Sequence, residues 1–179
     1  VDARFARDEN QVWVYPPSVE RPNPRFWATT GFYFEQIPFV LADPGLNYER
    51  LPDDTLEGTR YEMVEVSYDA GVGESPGDTY KLYVHPKSGR VDAIRYTVTY
   101  GQGQDPEEIG PQPETLFFYE DFVTVDGLTV ATHFRGYQYT DGQRGEFKNE
   151  AWADSISFRR PFDPSRLEAP EGARFISAP

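Results

Sequence analysis

The chain has no cysteine, one methionine and two histidines among its 179 residues. Without cysteine there is no disulfide framework, no thiolate metal site and no thiol nucleophile, while the cellular compartment stays undecided. His85 and His133 are too few and too far apart in sequence to form a histidine-based metal motif. Positive charge is also scarce, with 17 Lys and Arg against 30 Asp and Glu and a formal net charge of -13. Binding to phosphate backbones and anionic membrane surfaces depends on clustered Lys and Arg, so nucleic acid is not expected as a partner. No apolar run approaches the roughly 18 to 20 residues that cross a bilayer, and neither a transmembrane segment nor a basic leader is read in this chain.

Aromatic residues are plentiful instead. They make up 16% of the chain against a hydrophobic fraction of only 38%, so Phe, Tyr and Trp must supply much of the core, and such residues favour sheets. Residues 80–100, YKLYVHPKSGRVDAIRYTVTY, carry two alternating runs around the turn His85-Pro86-Lys87-Ser88-Gly89. This is the pattern of a β-hairpin. Tyr80 and Leu82 fall on one face of its first arm with Val84, and Ile94, Tyr96 and Val98 on one face of its second with Tyr100. Further strands are expected at 59–68, 114–123, 128–140 and 146–158, with 78–85 and 90–100 forming the hairpin. Asp126-Gly127 and Asp141-Gly142 suit tight hairpin turns.

Upstream, residues 1–15 read as a hairpin or its second half, with a turn at Asp8-Glu9-Asn10. Residues 25–42, RFWATTGFYFEQIPFVLA, form the one long apolar segment with helical potential, and Pro38 is expected to start a second short helix at Phe39. The Pro-rich residues 159–179 read as a tail laid across the sheet. The length suits one domain, and the start at Val1 reads as a processed protein or a fragment.

An aromatic sheet face must be covered by something. The expected fold is therefore mainly β with a helical segment (α+β), a curved, half-barrel-like antiparallel sheet covered on its concave face by one or two helices. A closed barrel or a two-sheet sandwich is the alternative. Catalytic motifs are weak. The glycine-rich loop at 70–77 precedes a strand rather than a helix and lacks Lys-Ser or Lys-Thr, unlike a phosphate cradle. No Gly-x-Ser-x-Gly elbow exists, the acidic loop 105–108 lacks the ligand pattern of a calcium loop, and His133 reads as a sheet-face residue. Glu62 with Glu65, Glu120 with Asp121, and Glu146 with Glu150 are the carboxylate pairs on offer for glycan chemistry. No catalytic residue, metal or cofactor is assigned.

The runs PFVLADPG at 38–45 and YDAGVGESPGDTYKLYVHPKSGRVDAIRYTVTYG at 68–101 resemble an uncharacterised family of exported bacterial proteins. That family looks like a relative of the outer-membrane lipoprotein-sorting and lipoprotein-carrier superfamily. The resemblance implies a curved half-barrel closed by helices, an extracytoplasmic location, and an upstream helix and strands that this chain lacks. It also implies a hydrophobic cavity for a lipid or a lipid-modified partner. The expected cavity lining is Phe26, Trp27, Tyr33, Phe34 and Ile37 on the helical segment, with Tyr80, Leu82, Ile94, Tyr96, Val98, Phe118 and Phe134 on the strands. A carboxylate-based glycan-active enzyme and a structural or protein-interaction domain without a cavity are the rival readings.

Overall fold

The computed structural model describes residues 2–8, 11–20, 23–75, 77–102 and 108–177. Its contacts divide the chain into two compact units, Val1–Val40 with Arg160–Pro179, and Leu41–Arg159. In the first unit, β1 (Arg4–Asp8) and β2 (Gln11–Tyr15) form an antiparallel pair, and β12 (Arg174–Ile176) adds to the other side of β2. The C-terminal segment thus joins a sheet as a strand. As the central strand, β2 buries Val12, Trp13 and Val14, and the Trp13 indole donates to the Leu167 carbonyl at 2.7 Å.

Helix α1 (Pro24–Gln36) packs against β1 and β2. Asn23 caps it, its side-chain oxygen accepting from the amides of Arg25 and Phe26, and Pro24 occupies the first turn, where an amide would be unsatisfied anyway. The helix stops before Pro38, because the proline ring disfavours helical geometry at Ile37, which is extended. The chain resumes as a 3-10 helix at Phe39–Ala42, which matches the expected second short helix.

The second unit is a seven-stranded antiparallel sheet, open rather than closed into a barrel. Its strands are β3 (Leu46–Leu56), β4 (Thr59–Tyr68), β5 (Tyr80–Val84), β6 (Val91–Tyr96), β7 (Glu114–Glu120), β10 (His133–Thr140) and β11 (Gln143–Trp152), in the order β11-β10-β7-β6-β5-β4-β3. The expected 80–100 hairpin is β5 and β6, with Leu82 opposite Ile94 and Tyr80 opposite Tyr96. A separate small hairpin, β8 (Val123–Val125) and β9 (Leu128–Val130), turns at Asp126-Gly127. The expected strands at 114–123 and 128–140 are therefore each broken near this hairpin.

Strand β3 was not expected. Its sequence LNYERLPDDTL contains Pro52 and alternates poorly, since it is an edge strand with most side chains in solvent. Pro52 and the register shift between Leu51 and Asp54 blunt that edge against pairing with another chain. Glu57-Gly58, like Asp141-Gly142, has positive φ at both residues, as a two-residue hairpin turn requires.

Arg144 on β11 forms an ion pair with Glu57 in the turn after β3. These groups belong to opposite edges of the sheet, so the sheet curls toward the face that carries them. On this inner face Leu56, Tyr61, Met63, Tyr83, Ala93, Leu116 and Phe118 pack into one cluster, flanked by Leu51, Tyr137 and Tyr139. Each large apolar side chain removed from water contributes roughly 1.5 to 3 kcal/mol. The side chains of the inner face thus bury one another.

Gly45 leads into β3 at φ 84°, and a Cβ there would lie 2.7 Å from Val72 Cγ2. The Asp69 amide donates to its carbonyl at 3.0 Å, so the 69–72 turn is seated against this point. Gly45→Ala is expected to cost about 1 to 3 kcal/mol from the left-handed backbone and the clash. Urea unfolding monitored by near-UV circular dichroism measures it, and an unchanged midpoint would refute the packing described.

Candidate functional site

Alternation along the strands gives the sheet two chemically different faces. The outer face carries a chain of ring contacts running from β4 to β10. Tyr68 meets Tyr80 at 6.1 Å, Tyr80 stacks on Tyr96 at 5.9 Å, Tyr96 meets Phe117 at 6.4 Å, and Phe117 stacks on Phe134 at 6.1 Å. Val66, Leu82, Ile94 and Tyr119 are buried on the same face. Five of the proposed lining residues, Tyr80, Leu82, Ile94, Tyr96 and Phe134, therefore share one surface.

Phe118 does not share it. Register pairs Ile94 with Phe117 and Ala93 with Phe118, which puts Phe118 in the inner cluster. In the run Leu116-Phe117-Phe118-Tyr119 apolar residues occupy both faces, so composition alone cannot say which phenylalanine goes where. Val98 lies past the end of β6 and is exposed. In the first unit, Ile37 is buried, Phe26, Tyr33 and Phe34 are half-buried, and Trp27 is 44% exposed.

The inner face is apolar at its centre and charged at both ends. At one end Lys81 bonds Glu114 at 2.6 Å and approaches Glu65 at 3.9 Å, while Arg95 approaches Glu114 at 3.9 Å. The Arg95 guanidinium lies 4.6 Å from the centre of the Tyr139 ring and 5.7 Å from that of Tyr83. Its Nε is buried without a hydrogen-bond acceptor among the described residues, so ring faces replace water there. The Tyr83 hydroxyl donates to Asp54 at 3.0 Å, and burial raises its pKa above the usual phenol range.

At the other end His133 collects three carboxylates. Its Nε2 lies 2.7 Å from Glu150, and its Nδ1 lies 3.5 Å from Asp121 and 3.8 Å from Glu120. Arg135 grips Glu120 with two bonds of 2.5 Å, and its pKa is raised by that carboxylate. The His133 ring stacks on Trp152 at 5.2 Å. The carboxylates named from sequence are thus regrouped. Glu120 and Asp121 meet Glu150 through His133, whereas Glu62 and Glu65 point to opposite faces. Cross-strand register makes this cluster, pairing His133 with both Glu120 and Trp152, and linear spacing does not reveal it.

No group of three or more His, Asp or Glu among the described residues is arranged to hold a metal ion. Residues 105–107 of the acidic loop lie outside the described residues, as do Glu9 and Asn10 of the N-terminal turn.

The model of a family of unknown function, DUF6503, matches residues 26–142, from α1 through β10 and its following turn. The chain belongs to this family. No significant match exists among curated proteins or among solved structures. The DUF6503 match includes the aromatic outer face and both strands of the 80–100 hairpin, and it ends before β11. Among the described residues no helix is long and apolar enough to cross a membrane.

One carboxyl in the DUF6503 region is strongly perturbed. Asp78, buried just before β5, accepts from the Thr99 amide at 2.5 Å and the Thr99 hydroxyl at 2.8 Å. Burial pushes its pKa up to about 6, against the opposing pull of those two bonds. Between the unfolded value near 4 and this folded value, the native state holds the extra proton, so stability falls as pH rises and levels off above about 6. The loss is on the order of 3 kcal/mol. Asp78→Asn keeps an oxygen for Thr99 but cannot ionise. Urea midpoints of this variant are expected to be flatter than wild type between about pH 4 and 7 and higher at about pH 7. A wild-type slope retained in the variant would refute the assignment.

Proposed function

We propose that this DUF6503 protein is an extracytoplasmic, non-enzymatic binding protein with a hydrophobic cavity for a lipid or a lipid-modified partner. The supporting observation is the exposure of two aromatic residues on α1, Trp27 at 44% and Phe32 at 66%. Such side chains suit an acyl chain, which gains from apolar contact and needs no directional bond. The resemblance of residues 38–45 and 68–101 to exported proteins related to the lipoprotein carriers supports the same ligand class. On this reading, kinship with those carriers accounts for the curled antiparallel sheet.

A second reading, a protein-interaction domain, is favoured by one observation. The ten residues of edge strand β11 are all exposed, including Phe147 at 57% and Trp152 at 68%. Such an edge offers main-chain groups to an added strand.

Native mass spectrometry of the purified chain and titration with a fluorescent fatty acid separate the two readings. The lipid reading expects bound or bindable acyl chains, and a drop of at least about tenfold in affinity for the Trp27→Ser, Phe32→Ser double variant. Both side chains are exposed enough that the variant is expected to unfold at the wild-type urea midpoint. A chain that carries no lipid and binds no fatty acid would reject the lipid reading and leave the edge strand as the binding surface.

A further inference from the structure

Strand β11 contains a bulge. Gly136 pairs with Asn149 and Tyr137 with Phe147, so Lys148 is the extra residue, without an opposite number on β10. Bulges re-aim side chains, and this one sends Lys148 across β10 to Thr115 on β7, where its amine donates to the hydroxyl at 2.7 Å. Lys148 pairs with no carboxylate among the described residues. In a chain with 30 carboxylates and 17 Lys and Arg, a lysine drawn over the sheet toward a hydroxyl calls for a reason.

The amine opens onto a cleft of about 290 Å³ between the ends of β7 and β10, lined by Glu114, Thr115, Gln138, Tyr139, Thr140 and Lys148, with Pro113 at its rim. Glu114 does not make the cleft negative, because Lys81 and Arg95 hold that carboxylate from the inner face. Among the other lining groups, the Thr140 hydroxyl and the Gln138 amide can donate hydrogen bonds, while the buried Thr115 hydroxyl is taken up by Lys148 and Tyr96.

We propose that this cleft binds a small oxyanion, a carboxylate or phosphate group carried on a hydroxylated molecule, with Lys148 as its charge partner. The amine, positioned by the Thr115 oxygen, supplies a charge-assisted bond, and the Thr140 and Gln138 side chains supply neutral donors around it. The volume sits at the lower edge of the range of small-molecule pockets. The proposal stands whether or not the chain binds lipid.

The test is a titration of the nitrogen-15-labelled full chain at constant ionic strength and about pH 7, once with inorganic phosphate and once with glucuronate. Saturable shifts confined to the amides around Thr115, Gln138 and Thr140 are expected with at least one of them, and the anion that saturates identifies the group. Lys148→Gln is expected to weaken binding at least about tenfold, and Lys148→Arg to stay within about threefold of wild type. Lys148 is exposed, so both variants are expected to keep the wild-type spectrum elsewhere. Absence of saturable shifts with either anion, shifts spread over the whole chain, or binding unchanged in Lys148→Gln would each overturn the proposal.

Discussion

The ion pair between Arg144 and Glu57 joins strands that are six positions apart in the sheet order, and it expresses the constraint on which this unit depends. A seven-stranded sheet of this composition has two apolar faces, and an open flat sheet would leave both in water. Curling lets Tyr61, Met63, Tyr83, Leu116 and Phe118 cover one another on the inner side. The pair itself is half-exposed and contributes little on its own. It marks where the curl brings the edges together, while the energy comes from the aromatic side chains beneath, two of which, Phe118 and Tyr137, lie under the Arg144 guanidinium.

Once the inner face is filled by its own side chains, charged groups are confined to its two ends. There they are held by partners rather than by water alone. Lys81, Arg95 and Glu114 serve one end, and His133, Glu120, Arg135 and Glu150 the other. The unit thus has a polar cluster at each end of its inner face and a buried aromatic row on its outer face. The polar ends are held by charge and hydrogen bonding, and the aromatic surfaces by contact area.

Much of this architecture was legible in the sequence wherever period and turn chemistry agreed. The hairpin of β5 and β6 was readable because each strand alternates cleanly around Pro86 and Gly89, and the Asp-Gly turns because they supply positive φ where a two-residue turn needs it. The break of helix α1 before Pro38 followed from proline geometry. Strand β3 was missed because an edge strand buries little and so shows little periodicity. Phe118 was assigned to the wall of Tyr80 and Tyr96, whereas Phe117 occupies it, since four successive apolar residues in β7 carry no phase.

The amino-acid sequence by itself determined the class of the fold, the hairpins and the scarcity of positive charge, because each depends on residues close together in the chain or on composition. Only the tertiary structure decided which carboxylates gather on His133, which lysine lies over the cleft beside Glu114, and which aromatic residues share a face. Those outcomes depend on cross-strand register and on one bulge in β11. A shift of one residue in either would exchange the two faces, and register is set by how whole strands pack together.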